Sequence, residues 1–399
     1  MEHPLLQSYG PLEGWHILLA IGVVSIGFFS YQVQKATRLV MLGSSDSRFD
    51  SWSIRIKEFI SGWLFQKKVL RDKVAGIMHV LMFWGFLMLS TDMFDLATAN
   101  AFSDKVLPEI IVGPWNGMVE LGYFMALIGC VSALTRRVVF TPEKLKGKSQ
   151  LEGNAILLLI FTITTTSFMV ESAESPSAFW EPIGYWFSER GLSEQTVILS
   201  YWAHMLAISV FLFLIPLSKH MHLVMAVPNV FFHDAGPMAR MRPLAIGDDG
   251  KAVPLEDLDI DSFGVSTYNQ YSWRQLIDGW SCTSCARCQD VCPAYASGKG
   301  LNPMQVIHDV RNYANEHAPI LLSGNQPEET ILERITEEAV WACTTCNACV
   351  DVCPLYIEHV PKLTDLRRNA MMETMEYPEV LNTATVSYTH LTLPTKDSV

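Results

Sequence analysis

Nine cysteines occur in this 399-residue chain, and eight of them stand in two short runs. The first is Cys282-Thr-Ser-Cys285-Ala-Arg-Cys288-Gln-Asp-Val-Cys292-Pro293, and the second is Cys343-Thr-Thr-Cys346-Asn-Ala-Cys349-Val-Asp-Val-Cys353-Pro354. Both read C-x2-C-x2-C-x3-C-P, and each follows a tryptophan, Trp280 or Trp341. Three thiolates two residues apart wrap one corner of a four-iron cubane, and the fourth turns away at the proline to ligate the other cluster. This rule places Cys282, Cys285, Cys288 and Cys353 on one [4Fe–4S] cluster. It places Cys343, Cys346, Cys349 and Cys292 on a second. Zinc prefers ligands in two pairs, which two runs of four closed by Cys-Pro do not match. Such tight spacing is not a disulfide framework. Metal-holding thiolates need a reducing compartment, so the second half of the chain is expected in the cytoplasm. The remaining cysteine, Cys130, reads as a small packing residue, which leaves no thiol pair for disulfide chemistry.

The elements that must carry these runs differ between the two halves. The chain is 49% hydrophobic with a mean hydropathy of +0.20, yet its formal charge is −12. The average hides an asymmetry: an apolar first half with basic loops, and an acidic second half from about residue 245. Five apolar stretches, near 14–34, 74–94, 115–135, 154–172 and 197–217, each have the roughly 20 residues a membrane crossing needs. The start of the chain has no basic residues ahead of the first stretch, which therefore reads as a true span and not a cleaved signal. The loop after the first stretch holds Lys35, Arg38, Arg48, Arg55, Lys57, Lys67, Lys68, Arg71 and Lys73. The loop after the third holds Arg136, Arg137, Lys144, Lys146 and Lys148, and the other two hold only Lys105 and Arg190. Basic loops stay inside, so the N-terminus is expected outside and the fifth helix leads into the cytoplasm.

Histidines within the spans are costly and need a reason. His79 falls roughly 8 Å below the cytoplasmic end of the second span, at about 1.5 Å per residue. His204 lies on the fifth span nearer the outside, and His220 and His222 lie at its cytoplasmic end. A helix running from 204 to 222 makes about five full turns, which puts those two on one face unless Pro216 disturbs the phase. A b-type haem needs two imidazoles at one depth. His79 with His222 meets that condition, with His220 as substitute; His204 belongs to an outer level with only His16 in view. The alternative is that these histidines hydrogen-bond neighbouring helices. Glu171, Glu174, Asp92, Asp95 and Glu120 gather near outer helix ends, where a proton relay to a quinone and ordinary solvated helix ends are both open readings.

Residues 223–270 contain scattered prolines and a Gly-Asp-Asp-Gly turn, and read as a linker at the membrane surface. Residues 271–380 read as helical, with helices over Asn302 to His317, Glu328 to Trp341 and Val360 to Glu376.

On these residues, the membrane half resembles the haem b (gamma) subunit of respiratory nitrate reductase. The likeness rests on five helices and on His79, His204 and His222. Those relatives carry a second histidine about three turns further along helix 2, where this chain has Leu89, so the resemblance implies one haem more firmly than two. The cluster half resembles the α-helical ferredoxin module of heterodisulfide reductase and succinate dehydrogenase. The junction from Ser218 to Phe232 also resembles that of heterodisulfide-reductase-like membrane iron–sulfur proteins. As a whole the chain is similar to membrane electron-transfer-flavoprotein:menaquinone oxidoreductases. The resemblance implies an all-α fold: a five-helix transmembrane haem b domain (1–222) followed by an α-helical ferredoxin domain with two [4Fe–4S] clusters. It also implies electron transfer in the prokaryotic cytoplasmic membrane between a quinone and a soluble protein, either an electron-transfer flavoprotein or a heterodisulfide-reductase-like subunit. Membrane lipid is an expected partner and nucleic acid is not. An iron–sulfur anchor without quinone chemistry is the reading from another class. Finally, Val386 to Thr395 resembles a translated sequencing adapter, so 386–399 is expected to be a non-native tail on a truncated chain.

Overall fold

The computed structural model describes residues 4–102, 109–140, 148–173, 176–237, 243, 253 and 263–381. The expectation for the tail at 386–399 therefore lies outside the described residues. Helices run in the order α1 (Gly14–Val40), α2 (Trp52–Phe59), α3 (Lys73–Phe102), α4 (Glu109–Val138), α5 (Lys148–Glu171), α6 (Pro182–Ser188), α7 (Glu194–Leu214) and α8 (His222–Phe231). They continue with α9 (Trp273–Ser281), α10 (Arg287–Asp290), α11 (Pro293–Ala296), α12 (Pro303–Glu316), α13 (Ala318–Leu322), α14 (Ile331–Ile335), α15 (Glu337–Ala342), α16 (Ala348–Val352) and α17 (His359–Asn369). Among the described residues the only strands are the two-residue pair Ser8–Tyr9 and Leu12–Glu13. The all-α expectation is met. The chain forms two compact units: Met1–Gln34 with Ile60–Met221, and Lys35–Phe59 with His222–Val399.

Among the described residues five helices are long and apolar enough to cross a membrane: Gly14–Val40, Lys73–Thr91, Ile111–Val138, Gln150–Glu171 and Glu194–Leu217. Small residues let α3 and α4 approach closely, as in membrane bundles. A Cβ on Gly85 would stand 2.6 Å from the Gly122 carbonyl oxygen, and one on Gly129 2.9 Å from that of Met78. Val119, Tyr123, Ile163, Phe168 and Ala207 form the core between α4, α5 and α7, and Leu89 of α3 packs against it. Glu120 is buried and accepts from the backbone N–H groups of Ile183 (2.6 Å) and Gly184 (2.8 Å), where α6 begins. A carboxylate there satisfies orphan donors at the positive end of the helix.

The second unit takes in residues 35–59, which by sequence belong to the membrane half. Ser44 bridges to Ser272, with its N–H on the Tyr271 carbonyl (2.9 Å) and its carbonyl accepting from Trp273 (3.1 Å). Gly43 makes that approach possible, since a Cβ there would lie 2.6 Å from the Trp273 nitrogen. Arg48 and Arg55, counted by sequence as solvated loop cations, are only 4% and 1% exposed. Arg48 is bidentate on Glu358 (3.3 and 3.1 Å), and Arg55 donates to the His233 carbonyl (2.6 Å) and to Asp50 (2.6 Å).

Helix boundaries correct several expectations. The described part of the 223–270 linker is not irregular throughout. It holds α8, whose buried Met225, Ala226, Asn229 and Val230 show a helical face despite Pro228, and α9 follows it, opened by a Ser272–Gln275 capping box. The stretch Glu328 to Trp341 is two helices, because Thr330 caps the first and Thr336, at φ 71°, breaks it and caps the second. The last helix ends at Asn369 and passes into a π-turn over Ala370–Thr374, stopped by left-handed Met375.

Candidate metal centres

The two cysteine runs fold as copies of one another. α9 ends at Ser281 and α15 at Ala342, one residue before Cys282 and Cys343. Those first cysteines have φ/ψ of −66/122° and −70/126°. Ser284 and Thr345 are left-handed (φ 56° and 55°), as are Ala286 and Asn347 (φ 62° and 60°). The last cysteines, Cys292 and Cys353, sit at −77/118° and −70/118°. Paired left-handed non-glycine residues cost energy. Finding them at the same two places in both runs marks a loop shaped around something. Each loop aims a backbone N–H at its first sulfur: Thr345 donates to Cys343 Sγ (3.4 Å), and Ser284 makes the equivalent bond to Cys282.

The cysteines gather in two neighbouring places. Cys282 and Cys353 share a buried core with Ile307 and Ile357. Cys292, Cys343, Cys346 and Cys349 line one cavity, together with His359 and Leu363. The two sets adjoin where Cys288 and Cys349 pack with Val360. Among the described residues no three Cys, His, Asp or Glu side chains converge on a point suited to a single ion. Burial pushes the thiol of Cys282 up to about 11 and those of Cys349 and Cys353 up to about 12. Iron must therefore displace their protons on binding. The sets differ in exposure: Cys282, Cys288 and Cys353 are buried, while Cys346 is exposed.

A buried ionic cluster holds the stretch after Cys353 against α9. Arg274, Asp278 and Lys362 are fully buried. Arg274 donates to Asp278 (2.8 Å), to Asn229 (2.8 Å) and to the Tyr356 carbonyl (3.0 Å). Asp278 also accepts from Lys362 and from the Glu358 N–H (3.1 Å). Burial would raise the Asp278 carboxyl, but Lys362 and Arg274 overrule it and hold it at about 2. The effect is to clamp α9, which ends beside Cys282, onto 356–362, which follows Cys353. In the second set Arg367 plays the corresponding part, donating to the carbonyls of Val340 (3.0 and 2.7 Å) and Cys343. Sequence reasoning missed this cluster; its visible trace was the Arg274–Asp278 pair, four residues apart. It also missed His308, whose Nε2 lies 3.6 Å from Cys282 Sγ and 3.1 Å from Ser284 Oγ.

The histidines expected to hold haem are not all where the helical count put them. α7 stops at Leu214, and a 3-10 turn (Ile215–Leu217) with Pro216 follows. Ser218 is extended, a second turn covers Lys219–Met221, and α8 starts afresh at His222. His204 and His222 therefore do not share a face of one helix. His204 is buried, with Nδ1 3.0 Å from the Ile163 carbonyl and 3.2 Å from Thr166 Oγ1. Nδ1 anchored on a carbonyl is the orientation that presents Nε2 to a metal. The level of Leu89 is filled by packed side chains. His79 stacks on Phe83 at 6.5 Å. His220 Nδ1 lies 3.1 Å from Ser218 Oγ, and His16 Nδ1 accepts from the Glu13 N–H (3.2 Å). Of the carboxylates expected at outer helix ends, Glu120 caps α6 and Glu171 lies against Gly184. The side chains of Asp92, Asp95 and Glu174 lie outside the described residues. Cys130 is buried and donates to the Leu157 carbonyl (2.9 Å), a packing role.

The 4Fe-4S dicluster domain family matches residues 274–354. The chain is similar to "EtfAB:quinone oxidoreductase" of Syntrophomonas wolfei, 28% identical over 94% of this chain and 59% of that protein. It is similar to "Probable iron-sulfur-binding oxidoreductase FadF" of Bacillus subtilis, 27% identical over 88% of this chain and 55% of that protein. It also matches "Probable membrane-anchored ferredoxin" of Chromohalobacter salexigens, 34% identical over 32% of this chain and 22% of that protein. Subunits of Methanosarcina heterodisulfide reductases match about a quarter of the chain. The chain thus spans little more than half the length of the first two relatives. No solved structure matched it. Residues 274–354 are a 4Fe–4S dicluster domain, and the chain is a homologue of iron–sulfur oxidoreductases.

Proposed function

We propose that this chain is an oxidoreductase component that passes electrons between a soluble redox protein and a membrane quinone through two [4Fe–4S] clusters. The observation that carries the reading is the duplicated cysteine loop, with its sulfurs sorted into two adjoining sets, in a chain with five membrane-length helices. Cys282, Cys285, Cys288 and Cys353 would hold one cluster, and Cys343, Cys346, Cys349 and Cys292 the other. Bound clusters supply one-electron steps; the protein sets their position and surroundings. The N–H groups of Ser284 and Thr345 stabilise thiolate charge, and the ionic cluster around Asp278 keeps Cys353 beside Cys282. An electron-transfer flavoprotein is the proposed soluble partner, by analogy with the relative whose name includes it. We place the N-terminus outside a prokaryotic cytoplasmic membrane and the clusters inside, because the loops after the first and third spans carry most of the basic residues. A b-type haem is proposed at His79 with His222 or His220. His204 has the oriented imidazole of a ligand, while Leu89 fills the place of a partner. Heterodisulfide-type sulfur chemistry is the second reading, favoured by the match over the cluster region.

The test is a reduced-minus-oxidised spectrum of the detergent-purified protein, followed by reconstitution into menaquinone vesicles with reduced flavoprotein. Haem b absorbance that vanishes in His79→Ala, together with quinol formation, is expected. Reduced clusters without quinol formation would instead favour the second reading.

A further inference from the structure

The two cluster sites are built from repeated parts, and one part is not repeated. α12 contains Ile307-His308-Asp309-Val310-Arg311, and α17 contains Leu363-Thr364-Asp365-Leu366-Arg367. Ile307 packs on Cys282 and Cys353, while Leu363 lines the cavity of the second set. Arg311 packs its Cβ 3.0 Å from where a Cβ on Gly279 would lie, three residues before Cys282; Arg367 bonds the carbonyl of Val340, three before Cys343. The backbone donors to the first sulfurs are also paired, Ser284 with Thr345. His308 has no counterpart at its own position of the repeat; the imidazole that lines the second cavity, His359, belongs to α17 outside the repeat and holds Nδ1 3.2 Å from the Ile357 carbonyl. Its equivalent, Thr364, spends its hydroxyl on the Val360 carbonyl of its own helix (3.0 Å). His308 instead points Nε2 at Cys282 Sγ (3.6 Å) and Ser284 Oγ (3.1 Å).

We propose that His308 donates an Nε2–H hydrogen bond to the Cys282 thiolate and so raises the reduction potential of the first cluster alone. A ligating thiolate can only accept, so an imidazole nitrogen facing it is favourable only as a donor. Reduction adds negative charge to the cluster, and a donor to sulfur stabilises that charge. The placement has a physical logic. The first set is the more buried, and burial disfavours the more charged, reduced form; the second set is wetter at Cys346. His308 supplies to the buried cluster what water supplies to the other. His308 is thus a positioning and tuning residue, not a ligand. The inference rests on the cluster assignment proposed above.

The experiment is an EPR-monitored redox titration of the whole purified chain and its His308→Thr and His308→Gln variants, with iron and sulfide counted in each. His308→Thr, which copies the second site, is expected to lower one midpoint and leave the other in place. The midpoint that moves should belong to the cluster that Cys353→Ser removes. His308→Gln keeps an N–H donor and should restore most of the shift. Unmoved midpoints, or two that fall together, overturn the proposal. If His308→Thr loses iron, pulsed EPR on the 15N-histidine-labelled wild type decides: imidazole nitrogen coupled to the cluster that Cys353→Ser removes supports the bond, and no coupling at that cluster overturns it, whatever His359 contributes at the other. Failure to find two clusters in wild type would instead strike the assignment itself.

Discussion

In the first unit, helices meet through what is missing. Gly85, Gly122 and Gly129 remove side chains so that α3 and α4 touch backbone to backbone. Two of its buried polar groups, Glu120 and His204, meet nearby backbone donors or acceptors. In the second unit, segments far apart in sequence meet through charge. Arg48, Arg274 with Asp278, and Glu358 with Lys362 come from three separate stretches of chain and join in one buried cluster. The difference follows from the surroundings. Apolar helices gain little from burying each other's side chains in lipid, so close packing decides. A cofactor site held by short loops has little apolar surface, so directional polar contacts must fix it. Buried charge is a poor source of net stability, but breaking one member of such a cluster is costly.

The largest effect should come from the ligands. Cys353→Ser and Cys288→Ser, which lie in different runs, should each halve the iron content and abolish the same EPR signal. Cys292→Ser should abolish the other. If Cys288→Ser and Cys292→Ser removed the same signal, the crossed assignment would fail.

Next comes the ionic clamp. Asp278→Ala leaves Lys362 and Arg274 buried without their carboxylate and should cost about 3–5 kcal/mol, with the first cluster lost ahead of the second. Chemical denaturation followed by iron release measures both. The pH dependence has a definite sign. Asp278 is held at about 2 in the fold, below its ordinary value of about 3.9. Its contribution is fully present above about pH 4 and lost as pH falls toward 2. The stability gap between wild type and Asp278→Asn should therefore be flat from about pH 7 to about pH 4 and narrow below.

Gly122→Leu probes the other unit. It forces side-chain atoms between α3 and α4 and should cost about 1–3 kcal/mol in thermal stability while leaving the cluster EPR unchanged. Equal loss of cluster signal would show that the two units do not hold their structures by separate means. Smallest is Arg334, which pairs with Glu316 and Glu329 at the surface. Arg334→Ala should change stability by less than about 1 kcal/mol. A multi-kilocalorie loss would show that exposed ion pairs matter to this fold as much as buried ones.

The parts of the site legible in sequence were those set by local geometry. Four cysteines spaced for a cubane read the same in any fold, as do apolar runs long enough for a bilayer. Capping boxes at Ser272 and Thr330 were also local, and could have placed α9 and α14 correctly. What stayed hidden depends on distant partners. Arg48 looks like a loop cation until Glu358, 310 residues away, comes to meet it. The shared face of His204 and His222 rested on one unbroken helix, and extended Ser218 ends that helix. His308 lay in a short repeat within the ligand duplication, legible only once the two halves are set side by side.

Iron and acid-labile sulfide counted per chain, on protein purified without oxygen, test the central claim most directly. About eight of each, with two reduced-cluster EPR signals that interact, is the expected result. About four of each, or bound zinc in place of iron, would contradict the assignment of two adjoining clusters to the duplicated loops.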